Sequence, residues 1–500
     1  MVSSQGDPAR RSAPEAPSAQ AAQAAPGGGP PDPAARLRDP AYIRLLVLAA
    51  VLGVPISAAA YGFLALISYL QKELFTHLPH GLGFTTAPAW WPLPVLLIGG
   101  VLAGLAIRYL PGDGGPSPAH GFAMHGPPGA AQLPGVLAAA LATLAFGAVL
   151  GPEMPLIALG GGLAVLAVRL AGRGKVPEQG VRVIGSAGSF AAISTLIGSP
   201  IAGAFLLMEA SGLGGPSMSM VLVPGLVASG VGALIFVGLD SLTGLGTFAL
   251  TLPGLPPFGR PDVAEFGWAI VIGLAAAVIG TAIRRLGLFP HPYAVKRPLL
   301  MAPLACLAVA LLTIIYTEAT GKPSSDVLFS GQDAMATLAG HASGYSVGAL
   351  VLLLACKGIA YGVSLSSLRG GPIFPALFIG AVGGIALSHL PGLPLVAGIA
   401  MGIGAMSVVM LTLPLTSVLV ASLLLGSDAV PAMPLVIVAV AVAYVAGARL
   451  APRPAPHAPA PAASAPGTPA PPRQARRHLP ARSPDPAGPD PAGPGPGRAT

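Results

Sequence analysis

Gly151-Pro152-Glu153-Met154-Pro155-Leu156-Ile157-Ala158-Leu159-Gly160-Gly161-Gly162 places one carboxylate in the middle of apolar sequence. An apolar run from Val136 to Leu150 precedes it, and another from Leu163 to Leu170 follows. A charge at such depth in a bilayer is expensive and marks a functional site by default. Gly151 and Pro152 interrupt a helix arriving from upstream, so a new helix is expected to start at Glu153 or Met154. The first turn of that helix offers unpaired N–H groups and the positive end of its dipole, which suits an anion. Glu153 can fill such a place as a tethered anion when ionised and leave it when protonated. The plainer alternative is that Glu153 only complements the dipole of its own helix.

The composition sets the class. The 500 residues are 53% hydrophobic and 9% charged, with a mean hydropathy of +0.75. A soluble protein carries about 25% charged residues, so the chain reads as an all-α polytopic membrane protein. No N-terminal signal peptide is expected, because the first forty residues are polar and rich in Ala, Pro and Gly. The stretch Ile43 to Leu70 is too long for a signal h-region and reads as an uncleaved span. The net charge of +8 owes much to arginines in the tails and short loops. It reads as an orientation signal and lipid-surface contact, with no nucleic-acid partner. Cys306 and Cys356 both lie in apolar runs and are expected to be buried and unpaired.

Four segments follow from these patterns. Residues 1–40 and 451–500 are Pro/Ala-rich tails expected to be disordered, flanking a first membrane half at 41–240 and a second, inverted half at 241–450. Apolar segments fall near 43–70, 93–110, 133–150, 156–171, 181–197, 200–210 and 217–239. The second half has them near 264–286, 299–317, 347–368, 372–388, 391–411, 413–426 and 429–449. Several are shorter than the roughly 20 residues a span needs, and many are bounded by Gly or Pro. Broken helices at membrane depth survive only beside protein or a watery cavity, which points to a transporter or channel. Arg36, Arg38 and Arg44, the 169–182 loop, the 284–297 loop, and Arg449 with Arg453 hold the basic residues. The positive-inside rule then predicts a cell-membrane protein with both termini cytoplasmic.

A repeat relates the halves. Gly370-Gly371-Pro372-Ile373-Phe374-Pro375 with Gly380 echoes Gly151–Pro155 with Gly160, and the offset from Pro155 to Pro375 equals that from Gly160 to Gly380. Ser199-Pro200-Ile201-Ala202-Gly203 follows the first copy, and Leu413-Pro414-Leu415-Thr416-Ser417 follows the second. Matching interrupted helices in two halves are the sequence pointer to a midplane site. With 68 Gly and 57 Pro in the chain, one such match could be chance; two in the same order favour a repeat.

Three motifs resemble the CLC family of chloride channels and chloride/proton exchangers. Gly147-Ala-Val-Leu-Gly-Pro-Glu-Met-Pro-Leu-Ile-Ala-Leu-Gly-Gly161 resembles that family's G-x-V-x-G-R-E-G-P helix start. Ser199-Pro-Ile-Ala-Gly-Ala-Phe-Leu-Leu-Met-Glu209 resembles its A-P-L-A-G…E-E helix, and Gly370-Gly-Pro-Ile-Phe-Pro-Ala-Leu-Phe-Ile-Gly380 its G-G-x-F-x-P helix start. The resemblance implies a CLC-like inverted repeat of many tilted, partly broken helices, working as a homodimer in the lipid bilayer. It implies transport of chloride or another small anion, with no enzyme activity. Glu153 would be the gate; Gly151, Pro152, Met154, Ile373 and Phe374 would surround the anion, and Ser117 is the nearest counterpart of the family's pore serine. The sequence departs from the pattern as well. Pro152 replaces the basic residue before the gate, Met154 replaces the glycine after it, and Ala210 replaces the second glutamate of E-E, the inner proton relay of exchangers. No tyrosine lies near Asp428 or Ala429, and the family's C-terminal nucleotide-binding domains are not expected here. These departures tilt the expectation toward a passive channel rather than proton exchange, with Glu209 or Asp428 as substitute acids.

One motif points elsewhere. Gly344-Tyr345-Ser346-Val347-Gly348 fits the G-x-S-x-G nucleophile elbow, with His341 nearby, and would make the chain an intramembrane or lipid-directed serine hydrolase. That elbow needs a strand-to-helix turn, whereas here the motif opens an apolar segment. The histidines form no metal-ligand pattern, so neither a metal nor a cofactor is expected.

Overall fold

A computed structural model describes residues 39–122, 126–171, 178–212, 216–252, 254–426 and 429–451. Nearly all of both tails, and Asp428, lie outside the described residues. The first half contains α1 (Pro40–Lys72), α2 (Pro92–Tyr109), α3 (Leu133–Leu144) and α4 (Glu153–Ala171). It continues with α5 (Glu178–Ala192), α6 (Pro200–Ser211) and α7 (Pro216–Thr243). The second contains α8 (Val263–Leu288), α9 (His291–Lys296), α10 (Pro298–Thr320), α11 (Gln332–Gly340) and α12 (Val347–Ser367). It closes with α13 (Ile373–Leu387), α14 (Leu395–Leu411), α15 (Pro414–Leu424) and α16 (Ala429–Leu450). Among the described residues, eight helices are long and apolar enough to cross a membrane. No β-strand occurs among the described residues, only an isolated antiparallel bridge between Gly151 and Gly371.

The helix ends follow local chemistry. Asp39 caps α1 by accepting the Ala41 N–H at 2.9 Å, with Pro40 at the first helical position. Asp262 and Glu265 form a capping box at α8. Ser199 caps α6 and Ser346 caps α12. The helices α3, α6, α13, α14 and α15 are apolar but too short to cross alone. The ends of such short helices need protein around them, and α13 and α14 are accordingly buried over nearly their whole length.

The two halves use the repeated glycine alike. A Cβ on Gly160 of α4 would overlap the Gly188 carbonyl of α5, and one on Gly380 of α13 would overlap the Gly402 carbonyl of α14. Each pair of helices touches backbone to backbone, the close approach that small residues permit in a membrane. This packing, with the antiparallel bridge between the two helix starts, is the inverted repeat seen in three dimensions.

Candidate functional site

The bridge is made by the Gly151 N–H donating to the Gly371 carbonyl at 2.8 Å and the reverse bond at 2.6 Å. It brings the broken starts of α4 and α13 together across 220 residues. Glu153, fully buried, spans the junction. Its Oε1 accepts the Ile373 N–H at 2.6 Å and the Phe374 N–H at 3.1 Å. The carboxylate therefore lies against the N-terminus of the opposite half's helix, where unpaired N–H groups and the helix dipole favour negative charge. Its Oε2 has no hydrogen-bond partner among the described residues. A Cβ on Gly151 or on Gly371 would collide with this carboxylate, so the absence of both side chains makes the space it fills. Tyr361 of α12, fully buried, donates its hydroxyl to the Pro372 carbonyl at 2.6 Å and fixes the turn into α13.

Cavities lie on both sides of this junction. One of about 330 Å³ is bordered by Leu150, Pro152, Asp326, Phe329 and Tyr345. The other, of about 930 Å³, is bordered by Met154, Ile157 and Ala158. The residue before Glu153 thus faces one cavity and the residue after it faces the other.

The model of the voltage gated chloride channel family matches residues 99–447. The chain belongs to this family. YfeO, a proposed ion-transport protein of Escherichia coli O7:K1, is 31% identical over 362 residues, which are 70% of this chain and 81% of that protein. YfeO of Escherichia fergusonii matches equally well. Among solved structures, a slow cyanobacterial Cl⁻/H⁺ antiporter aligns with a TM-score of 0.65 at 21% identity, covering 82% of this chain and 96% of that one. A CLC-type fluoride/proton antiporter aligns at 0.55 and 18% identity, covering 81% and 95%. These likenesses show the fold: an all-α membrane protein built as the CLC inverted repeat.

Against the CLC pattern, the remaining candidates separate. Ser117 heads the short 3₁₀ turn Pro118–His120, where its hydroxyl accepts the Ala119 N–H and lies 3.4 Å from Nδ1 of His291. No described hydrogen bond joins Ser117 to Glu153. Glu209, at the end of α6, spends its carboxylate on α15. It accepts the Leu415 N–H at 3.0 Å, the Thr416 N–H at 2.7 Å and the Thr416 hydroxyl at 2.6 Å. Three donors make it the cap of the second half's matching broken helix. Glu209→Ala is expected to cost about 0.5–2 kcal/mol, in line with other lost caps, and to leave the pH dependence of transport unchanged. Thermal unfolding in detergent and flux at two pH values read the two effects separately. A flat pH profile in that variant would instead make Glu209 part of the proton path.

The G-Y-S-V-G stretch is not an elbow. Ser346 accepts the Ala349 N–H at 3.2 Å as the cap of α12, and Tyr345 donates to Asp326 at 3.0 Å. His341, just past the end of α11, has its Nδ1 3.1 Å from the Thr337 carbonyl of that helix. Among the described residues no strand precedes the serine, so the hydrolase alternative has no structural support.

Two cations escaped the sequence reading. Lys357 sits in the middle of α12, fully buried, with Nζ 2.9–3.1 Å from the carbonyls of Asp326, Val327 and Leu328. Arg369 donates from Nε and Nη2 to the Asp113 carbonyl, at 3.2 and 3.1 Å, and so clamps the turn ahead of Ser117 to the lead-in of α13. A lone lysine inside the apolar segment 347–368 was the available signal for the first.

Proposed function

We propose that this protein moves chloride, or another small monovalent anion, through a path that the Glu153 carboxylate closes. The observation that carries the reading is the seat of that carboxylate. It occupies the N–H groups of Ile373 and Phe374, which a permeating anion would use in its place. In this reading Gly151, Pro152, Met154, Ile373 and Phe374 form the anion's surroundings, and Ser117, one residue beyond Pro116 in the wall of the larger cavity, is a further candidate anion ligand. Passive conduction is the first reading, because Ala210 stands where exchangers carry their inner glutamate and Glu209 is held as a helix cap. Proton-coupled exchange is the second, favoured by the antiporters among the structural relatives. The reading includes a homodimer with both termini in the cytoplasm. Reconstituted protein, followed by simultaneous anion efflux and proton uptake, separates the mechanisms. Chloride efflux without proton movement is the expected result; stoichiometric proton uptake selects exchange, and no anion efflux refutes the proposal.

A further inference from the structure

Two histidines meet where three chain segments join. His120 ends the short 3₁₀ turn Pro118–His120 that Ser117 heads, and His291 begins α9. Their ring centres lie 4.9 Å apart, with the planes at 87°. His291 Nδ1 is 3.0 Å from the Ser366 carbonyl in the last turn of α12. A carbonyl only accepts, so Nδ1 carries the proton and Nε2 keeps the lone pair, the form in which histidine binds a metal. The same bond sets the ring's orientation, as the outer partner of a metal-bound histidine does. His120 is exposed and His291 half-buried, so the pair is open to solvent. An ion about 2.0–2.1 Å from one nitrogen of each ring, with tetrahedral angles, would hold the ring centres roughly 5 Å apart. The rings are already at that separation, and what remains is rotation about the side-chain bonds. The local field favours a cation. The 21 residues of α12 end here, and the last carbonyls of a helix are the negative end of its dipole. Lys296 and Arg297 oppose this, but both are exposed, where water and salt screen them.

We propose that His120 and His291 form a site for a borderline divalent cation of the zinc class, and that the bound ion ties the Ser117 turn to α9 and the end of α12. Imidazole nitrogen selects such ions over magnesium and calcium, which take oxygen ligands. Among the described residues no group of three or more His, Cys, Asp or Glu side chains could hold a metal, so water completes the shell. Structural zinc sites use four protein ligands; two make a site that fills and empties with the ion's concentration. Arg369 already clamps the turn ahead of Ser117 to the lead-in of α13, so a tie at His120 stiffens this region from both ends. The effect on flux rests on the anion-transport reading above, whereas the binding of the ion does not.

Full-length protein, purified in detergent, is titrated calorimetrically with zinc chloride, and with magnesium chloride as the control. Zinc is expected to bind and magnesium is not. His120→Ala and His291→Ala should each weaken zinc binding at least about tenfold, the lower bound for losing even an outer partner of a metal ligand. His291→Ala also removes a bond to α12; His120→Ala leaves that bond in place and so separates lost binding from lost folding. Glu73 and His77 form another surface pair, 3.0 Å apart between Oε1 and Nδ1. Zinc binding that is unchanged in both variants, or that only His77→Ala removes, overturns the site. In liposomes, zinc should slow wild-type chloride flux severalfold and leave His120→Ala at its zinc-free rate. Zinc that binds through both histidines yet leaves wild-type flux unaltered overturns the tie to the turn. Wild-type protein that moves no anion but binds zinc through both histidines refutes the transport reading and leaves the site standing.

Discussion

Glu153→Gln is expected to raise chloride flux severalfold at neutral pH and to remove most of its dependence on pH. In the wild type, flux should rise as pH falls, because protonation removes the charge that competes for the Ile373 and Phe374 N–H groups. Hydrogen bonds from N–H to an ionised acceptor are roughly twice as strong as neutral ones. A glutamine can still accept them, but it holds the place less firmly against chloride, and Glu153→Ala leaves the place open. Both variants should therefore behave at neutral pH as the wild type does in acid. If the protein exchanges protons, the same substitutions should also abolish proton uptake. A carboxylate that only capped a helix would predict otherwise: a loss of about 0.5–2 kcal/mol in stability and an unaltered pH profile. Chloride efflux from liposomes at two pH values, for wild type and Glu153→Gln, decides between these outcomes. An unchanged pH profile in a well-folded variant would remove Glu153 from the mechanism.

The second large effect is on stability. Lys357→Met should destabilise the protein by roughly 3–5 kcal/mol, the cost of removing one partner from a buried charged network. The ammonium satisfies the carbonyls of Asp326, Val327 and Leu328 and lies 4.3 Å from the centre of the Phe378 ring. The Asp326 carboxylate accepts the hydroxyls of Tyr316 at 2.9 Å and Tyr345 at 3.0 Å. Methionine matches the length of lysine but donates nothing, so those carbonyls stay dry and unpaired, each costing about 1–3 kcal/mol at most. The same segment borders the smaller cavity, and the Phe329 N–H donates to the Gly147 carbonyl at 3.2 Å. A loosened segment would thus reach the lead-in to Glu153. Thermal unfolding in detergent should show a fall of many degrees. A midpoint equal to that of the wild type would mean that Lys357 is not a structural key.

The sequence by itself determined which segments are apolar enough to lie in a membrane. Hydropathy and chain length dictate this through the cost of an unsatisfied backbone in hydrocarbon. It also determined that helices restart at Glu153 and near Ile373, since Gly and Pro act on their own neighbours. The three motifs, read together, carried the family. The meeting of Glu153 with the N–H groups of Ile373 and Phe374 was a different matter. The resemblance proposed it, but no local property of either segment requires it, because the partners lie 220 residues apart. Glu209 capping α15, Lys357 filling a cage of carbonyls, and His120 meeting His291 have the same character. Propensity, capping and hydropathy act between residues that are near in sequence. Which buried charge finds which backbone group is decided by packing, where the penalty for leaving either one unpaired selects a single arrangement.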